Sequence, residues 1–204
     1  MSVKSKFNRA SRGHLVAAAS LLFGVWAGPI LAQNAAPTQV DRDLAARSSE
    51  IRWPQAFTPA DADLFAHNEI DVSAPCSVIW SHLVHAAKWP EWYPNSKDVK
   101  VVNSSTGILN EGAKFDWQTF GLTVNSRVHE FVVNSRLGWF GDAPGLNAYH
   151  TWFLTEGDGK CHVITEEVVK GPGAVNLRKS DPDAMHKGHD LWNAVLKQVS
   201  ERKP

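Results

Sequence analysis

Hydrophobic and polar positions alternate with a period of two over several short segments of this chain. Segments of this kind, bounded by Gly, Asn or Pro, are typical of half-buried β-strands. Short connections lie at Phe120-Gly121, Asn134-Ser135 and 156–159. The pattern predicts an early strand and then an antiparallel meander, with strands over residues 68–72, 98–103, 113–119, 122–134, 136–140, 148–155 and 161–170.

A helical period appears on both sides of the meander. After the first strand, Ser73 is a candidate N-cap and Pro75 fits the first turn of a helix that ends at Trp89-Pro90. A second short turn follows over residues 91–94. The chain ends in a long amphipathic helix that begins near residue 180 and should cover the sheet. Its apolar arc contains Met185, Gly188, His189, Trp192, Val195, Leu196 and Val199.

Residues 1–32 differ from the rest of the chain. They carry four basic side chains and no acidic one, followed by an apolar run over 15–27 and the pair Gly28-Pro29. This order is typical of a secretory signal peptide. We predict cleavage after Ala32 and a periplasmic or secreted protein. The alternative is an uncleaved signal that anchors the chain in the inner membrane, because residues 15–32 approach the length of a bilayer span.

The rest of the chain is predicted to contain one domain. Residues 33–62 are mostly polar and indicate a linker and N-terminal extension, in which Trp53 and Phe57 pack onto the domain. Residues 63–204 form the folded domain itself, a length that can bury a sizeable core. No internal repeat is visible in the sequence.

Charge and composition narrow the classes of partner. The whole chain has 21 basic and 21 acidic residues, and removal of residues 1–32 leaves a domain with a formal net charge of −4. A mildly acidic domain without a basic run argues against nucleic acid as a partner. No integral membrane segment is expected after signal cleavage, and the sequence leaves the oligomeric state open. Nine Trp and nine Phe against two Tyr provide large apolar surfaces with few hydroxyl groups.

Residues 65–201 resemble the START-like, Bet v 1-like superfamily (SRPBCC), in particular its bacterial polyketide cyclase/dehydrase and lipid-transport branch. The resemblance is carried by Ile70–Val72, Ala74-Pro75, Val78, Trp80, Leu83, Trp89-Pro90-Glu91-Trp92, Pro94, Glu111-Gly112, Phe115, Val128, Leu137, Trp139, His150-Thr151-Trp152, Gly159 and Glu167. It implies an α+β helix-grip fold, in which a curved seven-stranded antiparallel sheet surrounds the long C-terminal helix. Two short helices follow the first strand, and a hydrophobic cavity lies between sheet and helix. Such a fold does not determine an activity.

The implied topology also relates the two cysteines to each other. In that sheet the first strand pairs with the last, so Cys76, just after the first strand, lies near Cys161 at the start of the last. The resemblance therefore implies a disulfide, which an exported protein can form. Two unpaired thiols in the core are the alternative.

Alternation predicts which residues face the C-terminal helix. The candidate ligand-binding residues are Phe115, Trp117, Val128, Trp139, His150, Trp152, Glu167, His189 and Trp192. Alternation in the strand over 122–134 also sends Ser126 and Glu130 inward. Apolar walls with a few converging polar groups are the usual composition of a small-molecule site. The alternative for the four tryptophans is a solid core, and for Glu167 a position at the surface.

The histidines are divided by the helical wheel. His82 and His85 have metal-ligand spacing, but the wheel places them on a solvated face, so we predict no metal site there. His186 lies on the flank of the apolar arc of the last helix and His189 lies inside it. His150, Glu167 and His189 are therefore the candidate catalytic residues, and no metal ligand is predicted.

No P-loop, dinucleotide-binding glycine pattern, Cys-x-x-Cys, G-x-S-x-G or H-E-x-x-H motif is present. No cofactor is therefore predicted. The first hypothesis is an exported binding or carrier protein for a small hydrophobic or aromatic molecule. The alternative is an enzyme of the cyclase, dehydratase or isomerase kind, in which Glu167 works with His150 or His189 as acid and base. A third hypothesis is a protein–protein interaction module with exposed Trp89, Trp92 and Tyr93.

Overall fold

The structure is a computed structural model that describes residues 36–202. The predicted signal peptide lies outside the described residues. Two 3₁₀ helices over Pro59–Asp61 and Ala86–Glu91 accompany the main elements. In chain order these are α1 (Gln39–Ala46), β1 (Leu64–Val72), α2 (Cys76–Val84), β2 (Lys97–Val101), β3 (Lys114–Thr119), β4 (Leu122–Val132), β5 (Arg136–Ala143), β6 (Leu146–Gly157), β7 (Lys160–Lys170), α3 (Pro172–Ser180) and α4 (Ala184–Ser200).

The strands form one seven-stranded sheet in the order β1-β7-β6-β5-β4-β3-β2, and every neighbouring pair is antiparallel. The predicted meander is therefore confirmed, with β1 added beside β7. The long C-terminal helix packs against the inner face of the sheet, where its Trp192 and Leu196 join the main core. Together with the two short helices after β1, this arrangement confirms the predicted helix-grip fold.

The start of α2 differs from the prediction. Its first residue is Cys76, Pro75 occupies the N-cap position, and no side chain of the helix itself caps it. The carboxylate of Glu156 accepts a hydrogen bond from the Cys76 backbone N–H at 2.7 Å instead. The Ser73 N-cap prediction was wrong, because Pro75 occupies the N-cap position. The backbone N–H of Ser73 instead donates to Glu201 at the end of α4. Tertiary contacts therefore satisfy the helix terminus that a local cap was expected to satisfy.

A β-bulge in β4 reverses part of the predicted inner face. The register with β5 shifts between Val128 and Glu130, so two residues of β4 lie opposite one residue of β5. Beyond the bulge, Phe131 points inward and packs on Trp80, with ring centroids 5.0 Å apart. Glu130 points outward, where its carboxylate lies 3.5 Å from the guanidinium of Arg52. The prediction that Glu130 faces the interior was wrong, because simple alternation does not include the extra residue.

The N-terminal extension packs on the outer face of the sheet. Trp53 contacts Phe65 and Tyr149, with ring centroids 6.1 Å and 6.0 Å away. Beside them, the fully buried carboxylate of Glu166 accepts a hydrogen bond from the backbone N–H of Ser48 at 2.6 Å. The same carboxylate lies 2.6 Å from Nδ1 of His67 on β1. Apolar and polar contacts thus hold the segment before β1 against the sheet.

The aromatic residues after α2 lie in the core. Trp89 is 0% exposed and Tyr93 is 1% exposed. The indole N–H of Trp89 donates to the carbonyl oxygen of Leu83 at 3.1 Å. The prediction of exposed Trp89 and Tyr93 was therefore wrong, and the interaction-module hypothesis loses its surface. Trp92 alone of the three is partly exposed.

A disulfide joins Cys76 to Cys161. It connects the first residue of α2 to the start of β7, and Cys161 pairs with Val72 in the sheet register. Both cysteines are buried within the main core. The bond therefore fixes α2 to the start of β7, next to the edge strand β1. Among residues 36–202, no helix is both long and apolar enough to cross a membrane.

Candidate functional site

A cavity of about 450 Å³ lies between the inner face of the sheet, α3 and α4. Its volume is within the usual range for small-molecule sites. Most of its walls are apolar, and polar groups are concentrated at one part of the wall. The lining residues are Leu64, Tyr93, Trp117, Thr119, Phe120, Leu122, Val124, Trp139, Gly141, Ala143, Pro144, Leu146, Ala148, His150, Glu167, Val169, Gly173, Ala174, Leu177, Ala184, Met185, His189 and Trp192.

The structure divides the candidate ligand-binding residues into two groups. Six of them line the cavity, namely Trp117, Trp139, His150, Glu167, His189 and Trp192. The other three, Phe115, Val128 and Trp152, lie in the solid core beside it. Strand alternation and the helical arc of α4 placed all nine on the interior side, but they cannot separate the part of the interior that is filled from the part that is open.

Three polar side chains converge at one part of the cavity wall. His150 on β6 and Glu167 on β7 are direct neighbours in the antiparallel register. His189 comes from α4, and its Nε2 lies 3.0 Å from Oε2 of Glu167. The rings of His150 and His189 are stacked, with centroids 4.9 Å apart and planes 9° from parallel. We call His150, Glu167 and His189 the polar triad.

Burial controls the charge of the triad. Burial lowers the pKa of His150 to about 3, because the charged ring would lose its hydration. The negative charge of Glu167 opposes this decrease in the pKa, and the nearby His189 adds to it. Burial opposes ionisation of Glu167 too, but the hydrogen bond from His189 outweighs it, and the pKa of Glu167 lies below its usual value. Near neutral pH the triad therefore contains a neutral His150 beside an ionised Glu167.

Hydrogen bonds orient the triad from behind. Nε2 of His150 lies 2.8 Å from the hydroxyl oxygen of Thr165, which is fully buried on β7. The ionised carboxylate of Glu167 accepts the hydrogen bond from Nε2 of His189. Nδ1 of His189 is buried and has no hydrogen-bond partner within residues 36–202. A buried polar atom without a protein partner in a native protein is satisfied by an ordered water or by a bound group.

Aromatic rings form the wall next to the triad. Trp192, one turn of α4 beyond His189, stacks on Tyr93 with centroids 4.3 Å apart and planes 11° from parallel. Trp139 also lies beside the triad, with its ring centroid 4.7 Å from that of His150 and 6.3 Å from that of Trp192. The indole Nε1 of Trp192 is buried without a partner in the described part of the chain. An aromatic ligand would thus find aromatic rings and a hydrogen-bond donor at this wall.

Part of the wall comes from elements that the sequence did not predict. Helix α3 begins with Pro172 after Gly171, whose φ of 111° favours glycine. Its Leu177 lines the cavity and remains 36% exposed. Tyr93 was predicted to be exposed, because the spacing of the apolar residues around it does not distinguish a buried position from an exposed one. The Gly-Pro-Gly sequence at 171–173 is typical of a turn, so the sequence pattern did not predict the helix that begins at Pro172.

The hairpin between β3 and β4 closes another side of the cavity. Phe120 at its tip has a positive φ of 49° and is 58% exposed. The ring of Phe120 lies against Gly188 of α4, where any Cβ would collide with it. Gly188 thus allows the hairpin to approach the helix beside the triad.

The other histidines lie away from the cavity. Nδ1 of His85 lies 2.6 Å from the carbonyl oxygen of Ser81, and the ring of His82 packs near Trp92. His186 lies on the outer flank of α4, with Nδ1 3.0 Å from the carboxylate of Asp43. Within residues 36–202, the polar triad is the cluster of three metal-ligating side chains that the structure brings together.

Comparison with solved structures supports the fold. No protein-family model matches the chain, and no curated protein matches it. Among solved structures, the chain is similar to the hypothetical protein jhp0584 from Helicobacter pylori, with 32% identity and a TM-score of 0.71. That match covers 76% of this chain and 98% of the other.

More distant structures share the fold. A START superfamily protein from Mycobacterium smegmatis has 13% identity and a TM-score of 0.52, over 67% of this chain and 97% of its own. Truncated norcoclaurine synthase from Thalictrum flavum has 16% identity and a TM-score of 0.51, over 68% and 94%. These neighbours therefore include a START protein and an enzyme built on the same sheet and helix. The chain therefore belongs to the same family as the Helicobacter pylori protein, and the distant similarities together with the topology show that it has the fold of START-like, Bet v 1-like proteins.

Proposed function

We propose that this protein is an exported binding or carrier protein that holds a small hydrophobic or aromatic molecule between the sheet and α4. The observation that carries the proposal is the cavity of about 450 Å³, whose walls are mainly apolar and aromatic. Polar groups are few and converge on the triad, which is the usual arrangement for fixing the orientation of a ligand. The buried donor of Trp192 and the buried Nδ1 of His189, neither with a partner in residues 36–202, support a ligand with at least one polar atom.

The proposed export rests on the sequence of residues 1–32 and is consistent with the disulfide. Structural disulfides persist in oxidising compartments and are rare in the cytosol. Cell fractionation and N-terminal sequencing test this part of the proposal. A mature protein that starts near Gln33 in the periplasm or medium supports it. A full-length N-terminus in the inner-membrane fraction would favour the anchored alternative.

Ligand binding is tested by titration monitored through tryptophan fluorescence. Trp117, Trp139 and Trp192 line the cavity, so an occupant should change their emission. A panel of fatty acids, isoprenoid alcohols and phenolic polycyclic compounds is titrated into the protein after solvent extraction. We expect saturable binding of at least one class, and mass spectrometry of the extract should identify a related native molecule. No saturable change and an empty extract would refute the proposal.

A cavity-filling variant gives the matched control. Ala148 lines the cavity, so Ala148→Phe places a ring in the space that the ligand needs. Ala194 is exposed on the far side of α4, so Ala194→Phe adds the same ring outside the cavity. We expect at least tenfold weaker binding in Ala148→Phe and unchanged binding in Ala194→Phe. Equal affinities in both variants would place the ligand elsewhere.

The second candidate function is acid–base catalysis on the bound molecule. It is favoured by one specific observation, the contact of 3.0 Å between Glu167 and His189 at the cavity wall. A positioned carboxylate and imidazole within hydrogen-bond reach can move a proton between ligand and protein. Incubation of the bound ligand in deuterated water separates the two functions. Deuterium incorporation that is lost in Glu167→Gln supports an enzyme, and an unlabelled ligand supports a carrier.

A further inference from the structure

We propose that the polar triad is a binding site for a divalent transition-metal ion of the Zn²⁺ type. This inference concerns the same cavity as the proposed function, but it requires no knowledge of the organic ligand. Two imidazoles and one carboxylate are a common ligand set for zinc and for other divalent ions that accept nitrogen and oxygen ligands. The three side chains come from β6, β7 and α4, so the fold itself brings them together.

The distances agree with a shared ion. One ligand atom from each of the three side chains lies within 4.8 Å of the other two. Around an ion with bonds of about 2.0–2.1 Å, neighbouring tetrahedral ligands lie roughly 3.3 Å apart. Nε2 of His189 and Oε2 of Glu167 are already 3.0 Å apart. Binding therefore requires a slight separation of this pair and an inward movement of the third ligand atom, which lies within 4.8 Å of the other two.

The hydrogen bonding of the triad leaves capacity for an ion. His189 is buried, and its Nδ1 has no partner within the described residues. The hydroxyl of Thr165 holds the ring of His150 at 2.8 Å, in the manner of the outer hydrogen bonds that orient metal-binding histidines. An ion bound at Nε2 of His189 displaces the proton of that atom to Nδ1 of the same ring, which has no partner within the described residues.

The surroundings favour an open site over a closed structural one. All three side chains line the cavity. Three protein ligands with a further position open to a cavity are typical of zinc sites that bind water or substrate, whereas structural zinc sites have four protein ligands. The open position would therefore face the space proposed for the organic ligand, and an oxygen atom of that ligand can occupy it.

Other histidines provide a matched control. His162 lies 2.8 Å from Asp71 and 3.5 Å from Glu69, so it also combines an imidazole with two carboxylates. Its side chain is 40% exposed and lies outside the cavity. His162→Gln removes a histidine of similar composition without changing the triad. If metal binding depended only on the number of histidines and carboxylates, His162→Gln would weaken it as much as loss of a triad histidine.

The experiment is metal binding by the purified, disulfide-bonded protein after removal of metal with a chelator. Zn²⁺ is titrated by calorimetry, and Co²⁺ is added in parallel to record its visible absorption. We expect one ion per chain and an absorption typical of nitrogen and oxygen ligands. His150→Gln, Glu167→Gln and His189→Gln should each weaken binding by more than about 100-fold, because even outer-shell partners are worth 10–100-fold. His162→Gln should bind as the wild type does.

Two results would overturn the proposal. One is wild-type protein that binds less than one equivalent of either ion at micromolar concentration. The other is binding that survives loss of the triad. Where a variant does not fold by circular dichroism, anomalous diffraction from a wild-type crystal grown with Zn²⁺ decides, and a peak away from the triad overturns the proposal. Organic-ligand binding in the presence of chelator is measured separately, so failure of this proposal and failure of the carrier proposal are distinguishable.

Discussion

Removal of the Cys76–Cys161 disulfide should strongly destabilise this domain. The bond joins residues separated by 85 positions and links α2 to β7. The double variant Cys76→Ala with Cys161→Ala removes it without leaving an unpaired thiol in the core. Both cysteines are almost fully buried, at 2% and 0% exposure, so the small apolar replacement suits the site.

The size of the effect follows from the length of the closed loop. In the chain-entropy account, a loop of 85 residues restricts the unfolded chain by about 4.6 kcal/mol at 25 °C. Removal of native disulfides typically costs about 2–5 kcal/mol, so we expect a loss of about 3–5 kcal/mol in the free energy of unfolding. For a domain of this length, that loss corresponds to a decrease in Tm of roughly 6–20 °C.

Urea unfolding monitored by tryptophan fluorescence gives the measurement. Wild-type protein is compared with and without reducing agent, beside the double variant under both conditions. Reducing agent should lower the stability of the wild type toward that of the variant and leave the variant unchanged. A loss below about 1 kcal/mol, or two free thiols in the mass spectrum of unreduced protein, would refute the reasoning.

Two further predictions concern the outer face of the sheet. Gly138→Ala should destabilise the protein by about 1–3 kcal/mol, because the new Cβ overlaps the buried hydroxyl of Tyr149. Gly157→Ala is the control: its Cβ enters open space, so it should change the free energy of unfolding by less than about 0.5 kcal/mol. Equal effects of the two substitutions would contradict the packing described around Tyr149. Burial lowers the pKa of His67, but the hydrogen bond and charge of Glu166, with smaller contributions from Glu69 and Asp43, raise the net pKa above 6.5. The protonated pair therefore stabilises the fold fully below about pH 6.5, and this contribution is lost as pH rises through the pKa of the folded state. His67→Gln should flatten that part of the stability profile in denaturant titrations at successive pH values, and an unchanged slope would contradict the assignment.

Much of the site was predictable because its residues lie on regular elements. Alternation along β3, β6 and β7 places Trp117, His150 and Glu167 on the inner face, and the helical arc of α4 adds His189 and Trp192. Periodicity and topology together therefore assign the residues that form the triad. The disulfide was implied by the same topology, because Cys161 pairs with the last residue of β1.

The remaining features depend on contacts that no local pattern contains. The bulge at Val128–Glu130 adds one residue to β4 and reverses the direction of every side chain after it. Tyr93 and Trp89 follow a short helix without a clear period, so their burial depends on how that segment turns back onto α4. Which part of the interior remains open also depends on packing between α3, the β3–β4 hairpin and α4, which the sequence pattern does not specify.

The most direct test of the central claim is a nitrogen–proton NMR spectrum of the tryptophan indoles during addition of the tightest-binding compound from the panel. Trp117, Trp139 and Trp192 line the cavity, whereas Trp53 lies on the outer face against Phe65. We predict that the indole signals of the three cavity tryptophans shift in a saturable manner and that the signal of Trp53 stays in place. Shifts confined to Trp53, or no saturable shift with any compound, would contradict a ligand-binding cavity between the sheet and α4.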